Sequence, residues 1–228
     1  MKDSTGIKSD LLKKKAALIF KRLKKHYPDV KPALEYSDPF QLLIATILSA
    51  QCTDERVNLV TKTLFRKYHG PEDYLKVTQT ELEKDIYSTG FYRQKAKSIL
   101  ACCRVIVEKY SGKVPADFEE LTNLPGVGRK TASVVAGNGF GIPAIAVDTH
   151  VIRLSNLLGF INSKDPIKIE FRLKELLPES EWINSGHLLM SHGRNICIAR
   201  RPKCYECFLH DLCPSFNPEI KVKKGKLK

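Results

Sequence analysis

The sequence has no long apolar run. Its longest strongly apolar stretch, Leu42 to Ala50, contains a Thr and a Ser and falls far short of the roughly 20 residues a membrane-spanning helix needs. An integral membrane protein is therefore excluded. A secretory leader is missing as well: Lys, Asp, Ser and Thr lead into a lysine run with no apolar core between them, so the protein is expected to stay in the cytoplasm. Glycine and proline are too scarce for a collagenous or low-complexity chain, at 13 and 12 of 228 residues, and 43% apolar content is too high for disorder. A chain of this length buries roughly 70 to 75% of its unfolded surface, so its core needs no disulfide staples.

Acid is in short supply. Against 38 Lys and Arg stand 25 Asp and Glu, a net charge of +13. The excess sits at the ends: residues 1–31 hold 10 cations and 3 acids, and residues 214–228 hold 5 lysines and 1 acid. Between them the balance is nearly neutral. A polyanionic partner, nucleic acid above all, is one explanation, and solubilising tails are the other. Seven cysteines are present, four of them within 17 residues. In a reducing compartment close-set thiols are metal ligands more often than bridges, whereas Cys52, Cys102 and Cys103 fit buried apolar positions.

Apolar residues recur at helical spacing along nearly the whole chain. Helices are predicted over Leu11 to Tyr27, Phe40 to Ala50, Glu55 to His69, Gln79 to Tyr87, Tyr92 to Tyr110, Asp117 to Asn123, Arg129 to Gly139, Thr149 to Leu158, Asp165 to Leu177 and Trp182 to Ile196. The fold class is all-α. Phe40 to Ala50 is apolar nearly all round and should be enclosed by other helices. Asp117 followed by Glu120 reads as a capping box, and Ile142 to Val147, having no partner run, as a buried connector.

Four features carry chemistry. Leu124-Pro125-Gly126-Val127-Gly128-Arg129-Lys130 places two glycines in a tight interhelical turn, where bare backbone and a helix start with unpaired N–H groups suit a phosphate. Lys130 falls in the first turn of the second helix, an unfavourable place for a cation. The helix end and partial burial would both lower its pKa, as an attacking amine requires; a charged lysine on a phosphate is the alternative. Asp148 in Val147-Asp148-Thr149-His150 fits a helix N-cap. If the fold brings it to Lys130, it can also stabilise positive charge developing on a sugar. Cys197, Cys204, Cys207 and Cys213 must share a centre, either structural zinc or an iron–sulfur cluster. The loop between the first two gathers Arg200, Arg201 and Lys203, a phosphate clamp or a solvated turn.

Taken together, the hairpin motif through Thr131, Val147-Asp148-Thr149-His150, Leu48-Ser49-Ala50-Gln51 and the cysteine spacing resemble the endonuclease III family of DNA glycosylases, in the helix-hairpin-helix superfamily, from about Pro39 to Cys213. The resemblance implies a six-helix domain over residues 32–142, a second domain from residues 1–31 and 143–213, a DNA cleft between them and a basic tail over 214–228. It selects a [4Fe-4S] cluster over zinc. It also implies that Lys130 is the catalytic amine, Asp148 its carboxylate partner and Gln51 the residue that fills the space left by an extruded nucleotide. Gly126, Val127, Gly128 and Arg129 would meet DNA at the hairpin, and Arg200, Arg201 and Lys203 at the cluster loop. Phe91 stands where the family usually has an aliphatic wedge. The expected activity is removal of oxidised pyrimidines from double-stranded DNA, followed by lyase cleavage of the abasic site, by a monomer. Adenine-specific relatives lack the lysine and usually carry a further C-terminal domain, so Lys130 and an end at residue 228 argue against that branch. A non-catalytic DNA-binding module and an electron-transfer protein are the rival classes.

Overall fold

The computed structural model describes residues 4–218, with side chains from residue 9 onward. Eleven α-helices are described: α1 (Ser4–His26), α2 (Pro39–Leu48), α3 (Asp54–Lys67), α4 (Pro71–Leu75), α5 (Gln79–Ile86), α6 (Tyr92–Tyr110), α7 (Phe118–Thr122), α8 (Arg129–Val134), α9 (Thr149–Leu157), α10 (Pro166–Leu176) and α11 (Trp182–Asn195). Short 3-10 turns lie at Tyr87–Thr89, Glu179–Glu181, Cys204–Glu206 and His210–Leu212, and no strand occurs among the described residues.

The sequence holds most of the start signals. Asp38, Thr53, Asp117, Asp148 and Asp165 each accept a first-turn N–H through the side chain, satisfying donors that a helix start leaves unpaired. Asp117 caps α7 in this way, accepting from the amides of Glu119 and Glu120. The reciprocal capping box lies at α5, where Thr78 and Glu81 bond each other's backbone. The helix expected from Arg129 to Gly139 is α-helical only to Val134 and continues as a π-helical turn through Gly139.

Two compact units result, one from Met1–Lys31 with Ile145–Lys228 and the other from Pro32–Ala144. The division falls at Ala144, against residue 142 as the resemblance implies, inside the coil from Gly141 to Val147, where Ala144, Ile145 and Val147 are buried and Ile142 is exposed. In the central unit α2 is the core element, with eight of its ten residues buried. Leu42, Leu43, Ile44 and Leu48 pack with Ile99, Cys102, Cys103 and Ile106 of α6 in that core. The unit formed from the chain ends has its own core, in which Ile19 and Leu23 of α1 join Val151, Leu154, Leu173, Leu188 and Leu189. The lysines of the basic tail lie outside the described residues.

Candidate functional site

In the central unit the hairpin is α7, a turn and α8. Val127 N–H donates to Leu124 O at 3.0 Å, closing the turn, and the two glycines serve it differently. Gly126 has φ +78°, and a Cβ there would lie 2.6 Å from Ser98 Cβ on α6, so internal geometry alone demands glycine. Gly128, the N-cap of α8, has φ −90° and open space where a Cβ would stand. Its bareness answers no need of the fold. Val127, which the resemblance places at the DNA, is 5% exposed, packs inward and commits its amide within the turn.

Lys130 is exposed, which replaces the expected partial burial. It is the second residue of α8, in a first turn that holds no acid. Beside it the exposed Arg129 lays its guanidinium over the Phe118 ring, 5.1 Å from the centroid.

Two further candidates of this unit share an uncommon backbone. Gln51, in the turn between α2 and α3, has φ +52°, and Phe91, just before α6, has φ +48°. Both are exposed, Phe91 to 64%. The third such non-glycine residue among the described residues, Ser111, merely ends α6. Left-handed backbone costs such residues about 1–3 kcal/mol and tends to be kept at functional sites.

The other unit carries Asp148, whose Oδ1 accepts from Val151 N–H at 2.8 Å, so the carboxylate caps α9. One turn on, Arg153 reaches out of α9: its Nη2 donates to Cys197 O at 2.6 Å and Gly193 O at 3.2 Å. Cys197, Cys204, Cys207 and Cys213 line one cavity of about 220 Å³ with Leu154 and Leu158, and all four thiols are free. Burial pushes the Cys197 thiol up to about 11, opposed by Arg153 and reinforced by Cys207, Cys213 and Cys204. A strongly positive centre is what lets four such neighbours ionise together.

Four cysteine thiols on one cavity are the donor set of a structural zinc or of an iron–sulfur cluster. His192, 2% exposed, brings Nε2 to 3.6 Å from Cys207 Sγ, and burial lowers its pKa to about 4, so the ring is neutral.

The cluster segment is anchored from both sides. Ile196 O accepts from the amides of Ile198 and Lys203, which folds the cationic loop back on itself. Arg200 and Arg201 are exposed and Lys203 is half-buried. From α1, Arg22 forms a two-pronged pair with Asp211, at 2.5 and 2.8 Å, and donates to Phe208 O at 2.9 Å. Sequence reasoning singles out none of Arg22, Lys95, Arg153 and His192 as functional.

Comparison with known proteins accords with this arrangement. Residues 44–179 match the model of the HhH-GPD superfamily base excision DNA repair proteins, and residues 197–213 match the iron-sulfur binding domain of endonuclease III. The chain is 52% identical to endonuclease III of Synechocystis sp., over 89% of this chain and 93% of that protein. It is 49% identical to endonuclease III of Bacillus subtilis, over 89% and 92%. A solved structure of a trapped endonuclease III–DNA covalent intermediate is similar at TM-score 0.86 and 47% identity, covering 89% of this chain and 96% of the other.

Proposed function

The chain belongs to the endonuclease III family of the HhH-GPD superfamily, and from that membership we infer that it is a base-excision-repair DNA glycosylase with abasic-site lyase activity. Its substrates are oxidised pyrimidines in double-stranded DNA and abasic sites, and its place is with the chromosome in the cytoplasm. The observation that carries the reading is Lys130, an exposed amine in the first turn of the hairpin's second helix, in a chain whose relative has been trapped covalently on DNA.

The target nucleotide leaves the stack before it reacts. Gln51 takes up the space it vacates, and Phe91 wedges the opposite strand. Lys130 Nζ then attacks C1′ of the sugar as the C1′–N bond to the base breaks, and the proton that the attacking amine sheds leaves with the base. Asp148 stabilises the positive charge that gathers on the sugar. Loss of the ring C–O bond gives an imine between Lys130 and C1′. The imine makes the C2′ proton acidic, and its removal expels the 3′ phosphate by β-elimination; water releases Lys130 afterwards.

The backbone at Gly128 and the Arg129 guanidinium hold the phosphates at the hairpin, while Arg200, Arg201 and Lys203 hold others from the cluster loop. Gly126 shapes the hairpin turn. Cys197, Cys204, Cys207 and Cys213 would hold a [4Fe-4S] cluster, which would tie this segment into its fold.

Borohydride reduction tests the reading. Incubated with duplex containing an oxidised pyrimidine or an abasic site, the protein should form a covalent adduct, because reduction turns the imine into a stable amine. Specific binding of that DNA with no adduct would return the chain to the class of non-catalytic hairpin modules.

A further inference from the structure

Lys95 is 5% exposed, one of few charged residues so deeply placed among the described residues. Its Nζ donates to Leu48 O at 2.7 Å and to Thr89 O at 2.8 Å. Among the described residues no carboxylate pairs with it. Burial pushes its pKa down, with the neighbouring Cys52 thiol opposing. An ammonium is an expensive way to satisfy two carbonyls in a core, so the identity of those carbonyls matters.

Leu48 is the last residue of α2, and the last four carbonyls of a helix have no partner within it. Three are met locally: Ala45 O by Ser49 N–H, Thr46 O by Ser49 Oγ and Ile47 O by Ala50 N–H. The fourth, Leu48 O, is met by Lys95, at the helix end where the backbone dipole favours a cation. Three residues further along the chain is Gln51. Thr89 is the last residue of the 3-10 turn before Gly90, and two residues beyond it is Phe91. Lys95 N–H also donates to Phe91 O at 3.0 Å. One residue thus holds both corners at which the chain enters left-handed backbone and points a side chain outward, and such strain persists only where its surroundings over-determine it.

The same turn of α6 supports the hairpin. Ser98, three residues after Lys95 and so on the same face, is the residue against which Gly126 closes. Lys95 therefore stands at the junction of three loops, although its own side chain does not reach the surface.

We propose that Lys95 is a positioning residue for base extrusion, its ammonium fixing the separation of Gln51 and Phe91 by holding Leu48 O and Thr89 O together. This rests on the reading of the chain as a base-extruding glycosylase. Without the ammonium, the two carbonyls lose a shared donor and the corners move independently. The two side chains then no longer enter the duplex as a pair. The nucleophile sits on another helix and keeps its own geometry, so the loss is confined to opening the base pair.

The test compares wild type, Lys95→Met and Lys95→Arg on two duplexes, one with an oxidised pyrimidine opposite guanine and one with the same lesion opposite a tetrahydrofuran abasic analogue. Single-turnover borohydride trapping by Lys95→Met should slow about 10- to 100-fold on the paired lesion, the scale expected for misplacement of about 1 Å, and much less where no pair must open. Lys95→Arg, which keeps a cation with several donors, should recover much of the rate. In the protein without DNA, amide hydrogen exchange at Gln51, Cys52, Phe91 and Tyr92 should quicken in Lys95→Met while the middles of α2 and α6 stay protected. Should Lys95→Met fail to fold, Lys95→Gln carries the same comparison, since it keeps an amide donor but is too short to span both carbonyls. Equal slowing on the two duplexes, an arginine variant no better than the methionine one, or unchanged exchange at the two corners would each overturn the proposal. A wild-type protein that cannot be trapped on either duplex would refute the glycosylase reading instead, and the exchange measurement would still judge the clamp.

Discussion

Arg153 Nη2 donates to Cys197 O at 2.6 Å, joining the helix capped by Asp148 to the backbone of the first cysteine in the cluster segment. The same nitrogen bonds Gly193 O, where a Cβ would meet Arg153 at 3.1 Å. Replacing Arg153 with Leu should cost about 1.5–3 kcal/mol, the usual worth of a hydrogen bond to a charged group. Thermal unfolding would measure that loss. Iron release to a chelator should quicken in parallel, whereas an unchanged release rate would show that the arginine braces α9 alone.

For Lys130→Gln the expected result is loss of strand cleavage and of borohydride trapping, with binding to damaged DNA retained. Because the side chain is exposed, stability should move by no more than about 0.5 kcal/mol. Near-normal cleavage by this variant would assign the nucleophile to another group.

The hairpin glycines should part company. Gly126→Ala meets both a positive φ and the Ser98 side chain at 2.6 Å, and should destabilise the fold by more than about 1 kcal/mol. Gly128→Ala enters open space and should cost about 1 kcal/mol at most, since glycine is only a moderately better N-cap than alanine. Its effect should appear in DNA affinity, read by titration with an abasic duplex. Undiminished affinity would mean that the bare backbone at Gly128 is not a phosphate seat.

Asp148 permits a separation of cap from charge. Asn caps a helix about as well as Asp, so Asp148→Asn should keep the bond to Val151 N–H and the melting temperature, yet slow the single-turnover chemical step by about 100-fold or more. Asp148→Ala should lose both, with about 1 kcal/mol from the missing cap. If the asparagine variant turns over at the wild-type rate, the carboxylate is a cap and nothing else.

Which of these features could be read from sequence follows from how far each interaction reaches along the chain. α6 occupies its predicted span, Tyr92 to Tyr110, because its apolar period runs unbroken between clear ends. α1 begins at Ser4, seven residues before the expected Leu11, because its polar first turns carry little apolar signal. α4 was missed: five residues from Pro71 are too few to show a period. Cys52 is half-buried and not fully enclosed, unlike Cys102 and Cys103. The hairpin, the Asp148 cap and the cysteine run are compact patterns and were visible as such. Lys95 and Arg153 were not, since the farthest carbonyls they hold, Leu48 O and Cys197 O, lie 47 and 44 residues away. Nothing in the local sequence of a lysine marks it for the interior.

The pair between Arg22 and Asp211 spans 189 residues, and that separation orders events during synthesis. Residues 32–144 can gather around α2 while the rest of the chain is still being made. α1 emerges first of all, yet its apolar side must wait for α9, α10 and α11 before it has a core to join. The last cysteine follows later still. Iron can therefore be captured only by a chain that is almost finished, and a truncated product would retain a folded central unit but no means of keeping the metal.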